Sequence, residues 1–186
     1  MKASILSDKD YQNGLFQNLK GEINTLLDHK GFETEFMEIG QGDLAFCMGC
    51  FGCWTKKPGE CMVSDRMASI NRKFVQSDVF IYLSPVVFGQ FSANIKNALD
   101  RWIPNILPFF EVRPDGSTMH PSRYDALPKV IIIGYGDGLL EEDVQLFTDI
   151  TKKHRRGVEV FVYQGEHEKI SGEFSAMNFG KVGPEL

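Results

Sequence analysis

The chain has 186 residues, of which 42% are apolar, and it carries a formal net charge of -5 at pH 7. This length is typical of a single domain with one buried core, so we expect one domain over residues 1–186. The acidic balance argues against nucleic acid as a partner. Because no apolar stretch approaches the length of a transmembrane helix, we expect no membrane partner and a cytoplasmic protein.

Five short runs rich in β-branched or aromatic residues predict strands. They are residues 3–6, 32–39, 79–84, 129–135 and 158–163. Apolar residues recur at helical spacing between these runs, in four segments. The segments are residues 15–27, 67–74, 95–102 and 141–156. Apolar strands that alternate with helices predict a parallel sheet covered on both faces. We therefore expect an α/β, flavodoxin-like three-layer sandwich with the strand order 2-1-3-4-5.

In such sheets ligands bind beyond the carboxyl ends of the strands, at the switch point between the first and third strands. The loops that follow Leu6, Leu83 and Ile133 are therefore the candidate ligand-binding loops. Another segment, residues 104–128, is Pro-rich and lacks a period, so we expect a long excursion that serves as a lid or an interface. Its aromatic residues suit burial between subunits or over a ligand.

Two of these loops offer backbone groups to a flat ligand. The turn after the third strand reads SPVVFGQFS, and its amides and glycine suit hydrogen bonding to the rim of a heterocycle, although an ordinary strand-to-helix turn is the alternative. The candidate residues there are Ser84, Pro85, Val86, Val87, Phe88, Gly89 and Ser92. The sequence GYGDG after the fourth strand is either a second ligand loop or a glycine-rich turn. Its candidates are Gly134, Tyr135 and Gly136, with the Tyr135 ring expected to stack on the ligand.

All the cysteines of the chain fall within FCMGCFGCWTKKPGEC, in a cysteine-rich loop that we place at residues 46–64. In a reducing compartment, clustered thiols are more often metal ligands or redox groups than disulfides. A 4Fe-4S cluster, a zinc ion, a redox pair made by Cys50 and Cys53, and a packed loop with no such role are all open interpretations. The candidate metal ligands are Cys47, Cys50, Cys53 and Cys61.

The segment SPVVFGQFSANIKNALDR resembles the corresponding part of the flavodoxin-like NAD(P)H-dependent FMN reductases. The spacing Cys-x2-Cys-x2-Cys-x7-Cys resembles that of the iron-sulfur flavoproteins, a branch of the same superfamily. The resemblance covers roughly residues 45–135. It implies FMN as cofactor, NAD(P)H as cosubstrate, a small-molecule electron acceptor, a homodimer or homotetramer, and a 4Fe-4S cluster as one of the alternatives above. Because hydride transfer to a flavin needs positioning rather than a side-chain acid or base, we expect no catalytic residue.

The first loop departs from this pattern. Family members that hold the FMN phosphate carry a turn of the type Gly-Ser-Pro-Arg after the first strand, whereas this chain reads SDKDYQNG. Ser7 and Lys9 could still bind a phosphate, but Asp8 and Asp10 place negative charge beside it. An alternative function therefore stays open: a non-enzymatic flavodoxin-fold module for binding or for metal or redox sensing, which has lost tight FMN binding.

Overall fold

The five long strands and four of the helices lie where the apolar periods of the sequence predict them. The computed structural model describes residues 1–154 and 157–183. The strands are β1 (Lys2–Asp8), β2 (Glu33–Ile39), β3 (Val79–Val87), β4 (Gln90–Phe91), β5 (Glu111–Val112), β6 (Thr118–Met119), β7 (Lys129–Tyr135) and β8 (Glu159–Tyr163). The α-helices are α1 (Gly14–His29), α2 (Gly52–Thr55), α3 (Met67–Gln76), α4 (Ala93–Asp100), α5 (Glu141–His154) and α6 (His167–Ala176). Single turns of 3-10 helix cover Lys9–Tyr11 and Ile103–Asn105.

The five long strands form a parallel sheet in the order β2-β1-β3-β7-β8. Because β7 and β8 are the fourth and fifth of the predicted strands, the α/β flavodoxin-like architecture and the order 2-1-3-4-5 are confirmed. The sheet has a sixth member that was not predicted. The chain turns back after Val87, and β4 pairs antiparallel with the end of β3.

Helices cover both faces of the sheet, because successive residues of a strand point to opposite sides. On one face, Ile131 and Ile133 of β7 lie in a core cluster with the buried residues of α1 and α6. On the other face, Val130 and Ile132 lie in a second cluster with residues of α3, α4 and α5. Strands buried on both sides explain why their sequences read as near-continuous apolar runs.

Several elements were absent from the sequence prediction. The two-residue strands β4, β5 and β6 are too short to show a period, and α6 buries only Ile170 and Phe174 among its described side chains. The expected excursion, residues 104–128, contains the β5–β6 hairpin, and the cysteine-rich loop contains α2. The predicted fourth helix reaches His154, and its last two positions, 155 and 156, lie outside the described residues.

The single domain over residues 1–186 stays a prediction. No helix in the described part of the chain combines the length and the hydropathy needed to span a bilayer.

Candidate functional site at the carboxyl edge of the sheet

Three of the predicted loops meet at one edge of the sheet. Ser7 of β1 pairs with Leu83 of β3, and Ser84 pairs with Gly134 of β7, so the carboxyl ends of the three strands are level. The loops that follow them are therefore neighbours. This edge includes the switch point, because the chain moves from β1 to β2 on one side and reaches β3 on the other.

The loop after β3 is a tight hairpin. Strand β3 continues through Pro85 and Val86 to Val87, so the turn is limited to Phe88 and Gly89 and is shorter than the sequence suggests. Both turn residues have positive φ, at 50° and 68°, which is the geometry of a two-residue hairpin of the I′ type. A Cβ atom at Gly89 would lie 2.7 Å from Cδ2 of Leu146, so the hairpin packs closely on α5.

Two serines of the predicted set hold this hairpin from beneath. The Ser84 hydroxyl donates to the carbonyl of Pro85 at 3.0 Å and accepts from the backbone N–H of Ser92 at 3.1 Å. The Ser92 hydroxyl in turn accepts from the N–H of Ile95 and caps α4. Both serines are buried, so they support the hairpin and do not line an open surface.

Phe88 is the most exposed large apolar residue of these three loops. Its side chain is 90% exposed, and its left-handed backbone costs a non-glycine residue about 1 to 2 kcal/mol. A large apolar ring that is held outward in a strained conformation gains nothing from the core. Such outliers concentrate at ligand-binding positions.

The loop after β1 is filled by its own side chains. Asp8 is fully buried, and one of its carboxylate oxygens accepts from the N–H of Asp10 at 3.0 Å. The amide of Asn94, in the first turn of α4, donates to both oxygens of Asp8 and to Asp10. Asp10 also accepts from the N–H of Gln41 at 2.7 Å. The loop is thereby tied to α4 and to the segment after β2.

Neither Ser7 nor Lys9, the predicted phosphate ligands, faces an open loop. Ser7 is buried in β1, and its hydroxyl is 3.5 Å from the carbonyl of Met37. Lys9 forms an ion pair with Asp43 at 2.7 Å, and Arg66 forms a second one with the same carboxylate at 3.3 Å. The hydrogen bonds from Lys9 and from the N–H of Gly40 lower the pKa of Asp43, so the partner of Lys9 is a carboxylate at neutral pH.

In the loop after β7, the predicted ligand-binding residues are largely turned away from solvent. A Cβ atom at Gly134 would lie 2.7 Å from Cε1 of Phe147, so this glycine is required by packing within the core. Tyr135 is buried against Phe16, and its hydroxyl donates to the carbonyl of Tyr11 at 3.1 Å. Burial raises the pKa of Tyr135, and the charge of Asp8 raises it further. The N–H of Gly136 donates to the carbonyl of Tyr163.

The four cysteines lie on one loop, which follows β2. Cys47 and Cys50 are exposed, while Cys53 and Cys61 are partly buried. Burial raises the pKa of the Cys53 thiol, and the nearby sulfur of Cys61 raises it further. Among residues 1–154 and 157–183, no three histidine, cysteine or acidic side chains are grouped closely enough to hold a metal ion. The four thiols suit a cluster by their chemistry, but the described arrangement groups no three of them in a geometry that could hold a metal ion.

A buried arginine fixes the second half of the cysteine loop. The Arg101 guanidinium, at the end of α4, forms an ion pair with Asp65 and donates to the carbonyl of Ala45 at 3.0 Å and to Sγ of Cys61 at 3.3 Å. Asp65 accepts in addition from the N–H groups of Ala45 and Met67. Burial alone would raise the pKa of Asp65, but these hydrogen bonds lower it below its ordinary value. One ion pair thus joins the start of the loop, its last cysteine and α3.

An aromatic stack joins the cysteine loop to the excursion. Phe51 stacks on Trp54 with ring centroids 5.5 Å apart, Trp54 contacts His120 at 4.9 Å, and His120 contacts Phe110 at 4.5 Å. The indole N–H of Trp54 lies 3.0 Å from the carbonyl of Ile106. The excursion is therefore packed against the loop that carries the thiols.

A groove of about 1010 Å³ lies elsewhere, between the excursion and the ends of α4 and α5. Its walls include Leu99, Leu127, Val130 and His154. These residues lie at the end of α4, at the start of β7 and at the end of α5, which is the amino edge of the sheet. Because ligands of this architecture bind at the carboxyl edge, the size of the groove does not make it the site.

Comparison with known proteins decides the family. The family model described as NADPH-dependent FMN reductase matches residues 1–111, which is more than half of the chain. The chain belongs to this family. Among its relatives, an iron-sulfur flavoprotein of Methanocaldococcus jannaschii is 34% identical over 104 residues, and these cover 56% of this chain and 53% of the relative. An iron-sulfur flavoprotein of Archaeoglobus fulgidus is 36% identical over 78 residues, or 42% of this chain and 34% of the relative. The matched segments thus span about half of the first relative and a third of the second.

Solved structures of low sequence identity share the fold of this family member. An NAD(P)H:quinone oxidoreductase from Methanothermobacter marburgensis has a TM-score of 0.64 at 12% identity, with 94% of this chain and 95% of that chain covered. An azoreductase from Bacillus anthracis has a TM-score of 0.59 at 9% identity, with coverages of 94% and 93%. At these identities the comparison establishes the architecture and nothing finer.

The groups at this edge suit a flavin ring better than they suit a phosphate. Phe88 offers an exposed aromatic face beside the switch point. In the first loop, by contrast, Asp8 and Asp10 place two carboxylates that already accept from the N–H groups of Asp10 and Gln41 and from Asn94. The sequence reasoning noticed both acids but missed their partner Asn94. The sequence does indicate the position of Asn94, because this residue follows the capping Ser92. It therefore falls in the first turn of a helix that begins at the same edge.

Replacing Asp65 by Asn should destabilise the protein by about 3 kcal/mol at pH 7, because the buried charge of Arg101 loses its partner. Folding lowers the pKa of Asp65, so its contribution is complete above the unfolded value near 3.8 and is lost as the pH falls through the folded value. Urea unfolding at pH 7 and about pH 3 should therefore show a smaller difference from wild type in acid. The exposed Asp125→Asn serves as control, and an equal loss at both pH values would contradict the role of the ion pair.

Proposed function

We propose that this chain is an FMN-dependent NAD(P)H oxidoreductase of the iron-sulfur flavoprotein type, which passes electrons to an external small-molecule acceptor. The observation that carries the proposal is the exposed Phe88, held in a strained two-residue turn at the switch point of a flavodoxin-like sheet. Membership of the NADPH-dependent FMN reductase family supports it.

A bound flavin would supply the capacity to accept a hydride from NAD(P)H and to release electrons to the acceptor. The chain's own contribution is to position and shield the reacting ring. We assign this role to the β3–β4 hairpin, which packs against α5 and is tied by the hydrogen bond from the Ser92 N–H to the Ser84 hydroxyl. We expect no side chain of the protein to act as acid or base.

The cysteine loop is proposed to hold a 4Fe-4S cluster. Support comes from its thiol spacing, from Arg101, which donates to Cys61, and from the curated relatives named iron-sulfur flavoproteins. Four thiolates and a positive charge beside one sulfur suit an iron-sulfur centre, whose potential depends on such hydrogen bonds. A reducing compartment such as the cytoplasm is expected, because these thiols must remain reduced to bind metal.

A second copy of the chain is the proposed macromolecular partner, in a homodimer or homotetramer. Phe46 and Met48 on the cysteine loop and Phe109, Phe110 and Val112 on the excursion are all exposed, and the aromatic stack makes the two segments neighbours. Exposed apolar residues in this number are typical of an interface.

Sedimentation of the wild-type chain at micromolar concentration should give a dimer or tetramer, and the Phe110→Ser variant should dissociate more readily. A wild-type monomer under these conditions would contradict this assembly.

A non-enzymatic binding or sensing module is the second candidate, and the occupied first loop favours it. Titration of the protein with FMN and riboflavin separates the two, because such a module would bind neither flavin.

We expect Phe88→Asn to weaken flavin binding about three- to tenfold, which is the value of one aromatic contact. Asparagine accepts positive φ, so the turn itself should persist. Flavin fluorescence titration measures the affinity, and circular dichroism verifies the fold. Phe109→Asn, which removes an exposed phenylalanine from the excursion, should leave flavin affinity unchanged. If the two variants bind alike, Phe88 is not at the ring.

Protein purified or reconstituted without oxygen should contain about four irons and four sulfides per chain and show broad visible absorption. Cys53→Ser should lose most of the iron, because the loop offers no further thiol to replace it. Met48→Ser, on the same loop and exposed, should keep the iron. One zinc per chain, or a Cys50–Cys53 disulfide without metal, would contradict the cluster in favour of the corresponding alternative.

A further inference from the structure

Two helices begin at the switch point, and their amino termini are where an anionic ligand would bind. Helix α1 starts at Gly14, directly after the first loop, and α4 starts at Ala93, after the hairpin. Unpaired N–H groups and the helix dipole make such termini the usual position of a ligand phosphate. At α1, the side chain of Asn13 already accepts from the N–H of Phe16 at 2.9 Å.

At α4 the chain supplies its own anions. Asn94, in the first turn, donates to Asp8 at 3.0 and 3.1 Å and to Asp10 at 2.9 Å. Asp8 is fully buried and also accepts from the N–H of Asp10, while Asp10 accepts from the N–H of Gln41. Two carboxylates therefore lie at the amino terminus of α4 and accept from the side-chain amide of its first turn.

The nearby cation, Lys9, already has a partner, and the space around it is filled. Lys9 is paired with Asp43 at 2.7 Å, and Asp43 is held in turn by the N–H of Gly40 at 3.0 Å. A side chain at Gly40 would collide with the side chains of Lys9 and Asp10, so the loop is closely packed. An approaching dianion would meet two negative charges, and the lysine of this loop is already paired with a third carboxylate.

We propose that the first loop rejects the phosphate of the flavin, so that riboflavin binds at least as tightly as FMN and the chain recognises flavins by their ring. Asp8 and Asp10 are the specificity-determining residues. This inference rests on the proposed function, since it assumes that a flavin binds at the carboxyl edge. It adds that the phosphate contributes no favourable binding there, because the dianion would lie beside the buried carboxylate of Asp8 and the exposed carboxylate of Asp10.

The test compares the dissociation constants of FMN and riboflavin by fluorescence titration of flavin-free protein. Wild type should bind FMN no more tightly than riboflavin. Asp10→Asn keeps an oxygen acceptor for Gln41 and removes one charge, so it should improve FMN binding about tenfold and leave riboflavin binding unchanged. Raising the salt concentration should narrow any preference for riboflavin in the wild type.

Asp28→Asn is the matched control, because it removes the same charge from the exposed last turn of α1, at the opposite edge. It should change neither constant. FMN binding tenfold tighter than riboflavin in the wild type would overturn the inference and leave the proposed function intact. An unaltered ratio in Asp10→Asn would overturn the assignment of Asp10. If neither flavin binds, the proposed function fails, and the inference fails with it.

Discussion

Parallel strands can be joined only by crossovers, so every loop that follows a strand reaches the same edge of the sheet. In this chain the register of β1, β3 and β7 makes the three central carboxyl ends level, with Ser7 opposite Leu83 and Ser84 opposite Gly134. The first loop, the hairpin and the loop after β7 therefore lie close together in one small area. The character of the site follows from which groups occupy that area and which are kept out of it.

The two sides of the switch point are filled by different kinds of side chain. On the β1 side, short polar side chains satisfy one another, with Asn94 shared between Asp8 and Asp10. On the β3 side, packing beneath the hairpin leaves Phe88 without a partner in the core. A buried charge is retained only when donors surround it, whereas an exposed ring tolerates solvent at modest cost. The edge therefore combines a closed polar half with an open aromatic half.

The sequence was sufficient to predict the order of the strands in the sheet, but not the placement of the side chains at its carboxyl edge. Strand order and layers follow from apolar periods, which long strands such as β3 and β7 display clearly. The extent of β3 beyond Ser84 could not be read, because the Pro85–Val87 segment looks the same in a strand and in a turn. The inward direction of Tyr135 and the pairing of Lys9 with Asp43 depend on contacts between segments far apart in the chain. Such contacts have no local signature.

The hydrogen bonds of Trp54 also have a consequence in time. Its indole N–H lies near the carbonyls of Ile103 and Ile106, about fifty residues later in the chain, and its ring contacts His120. During synthesis from the amino terminus, the cysteine loop is made before these partners. Until the excursion has been made, the four thiols are carried by a segment that cannot yet adopt its final packing. The order of synthesis thus gives the cell an interval in which Cys53 and Cys61, which are partly buried in the folded chain, are still accessible.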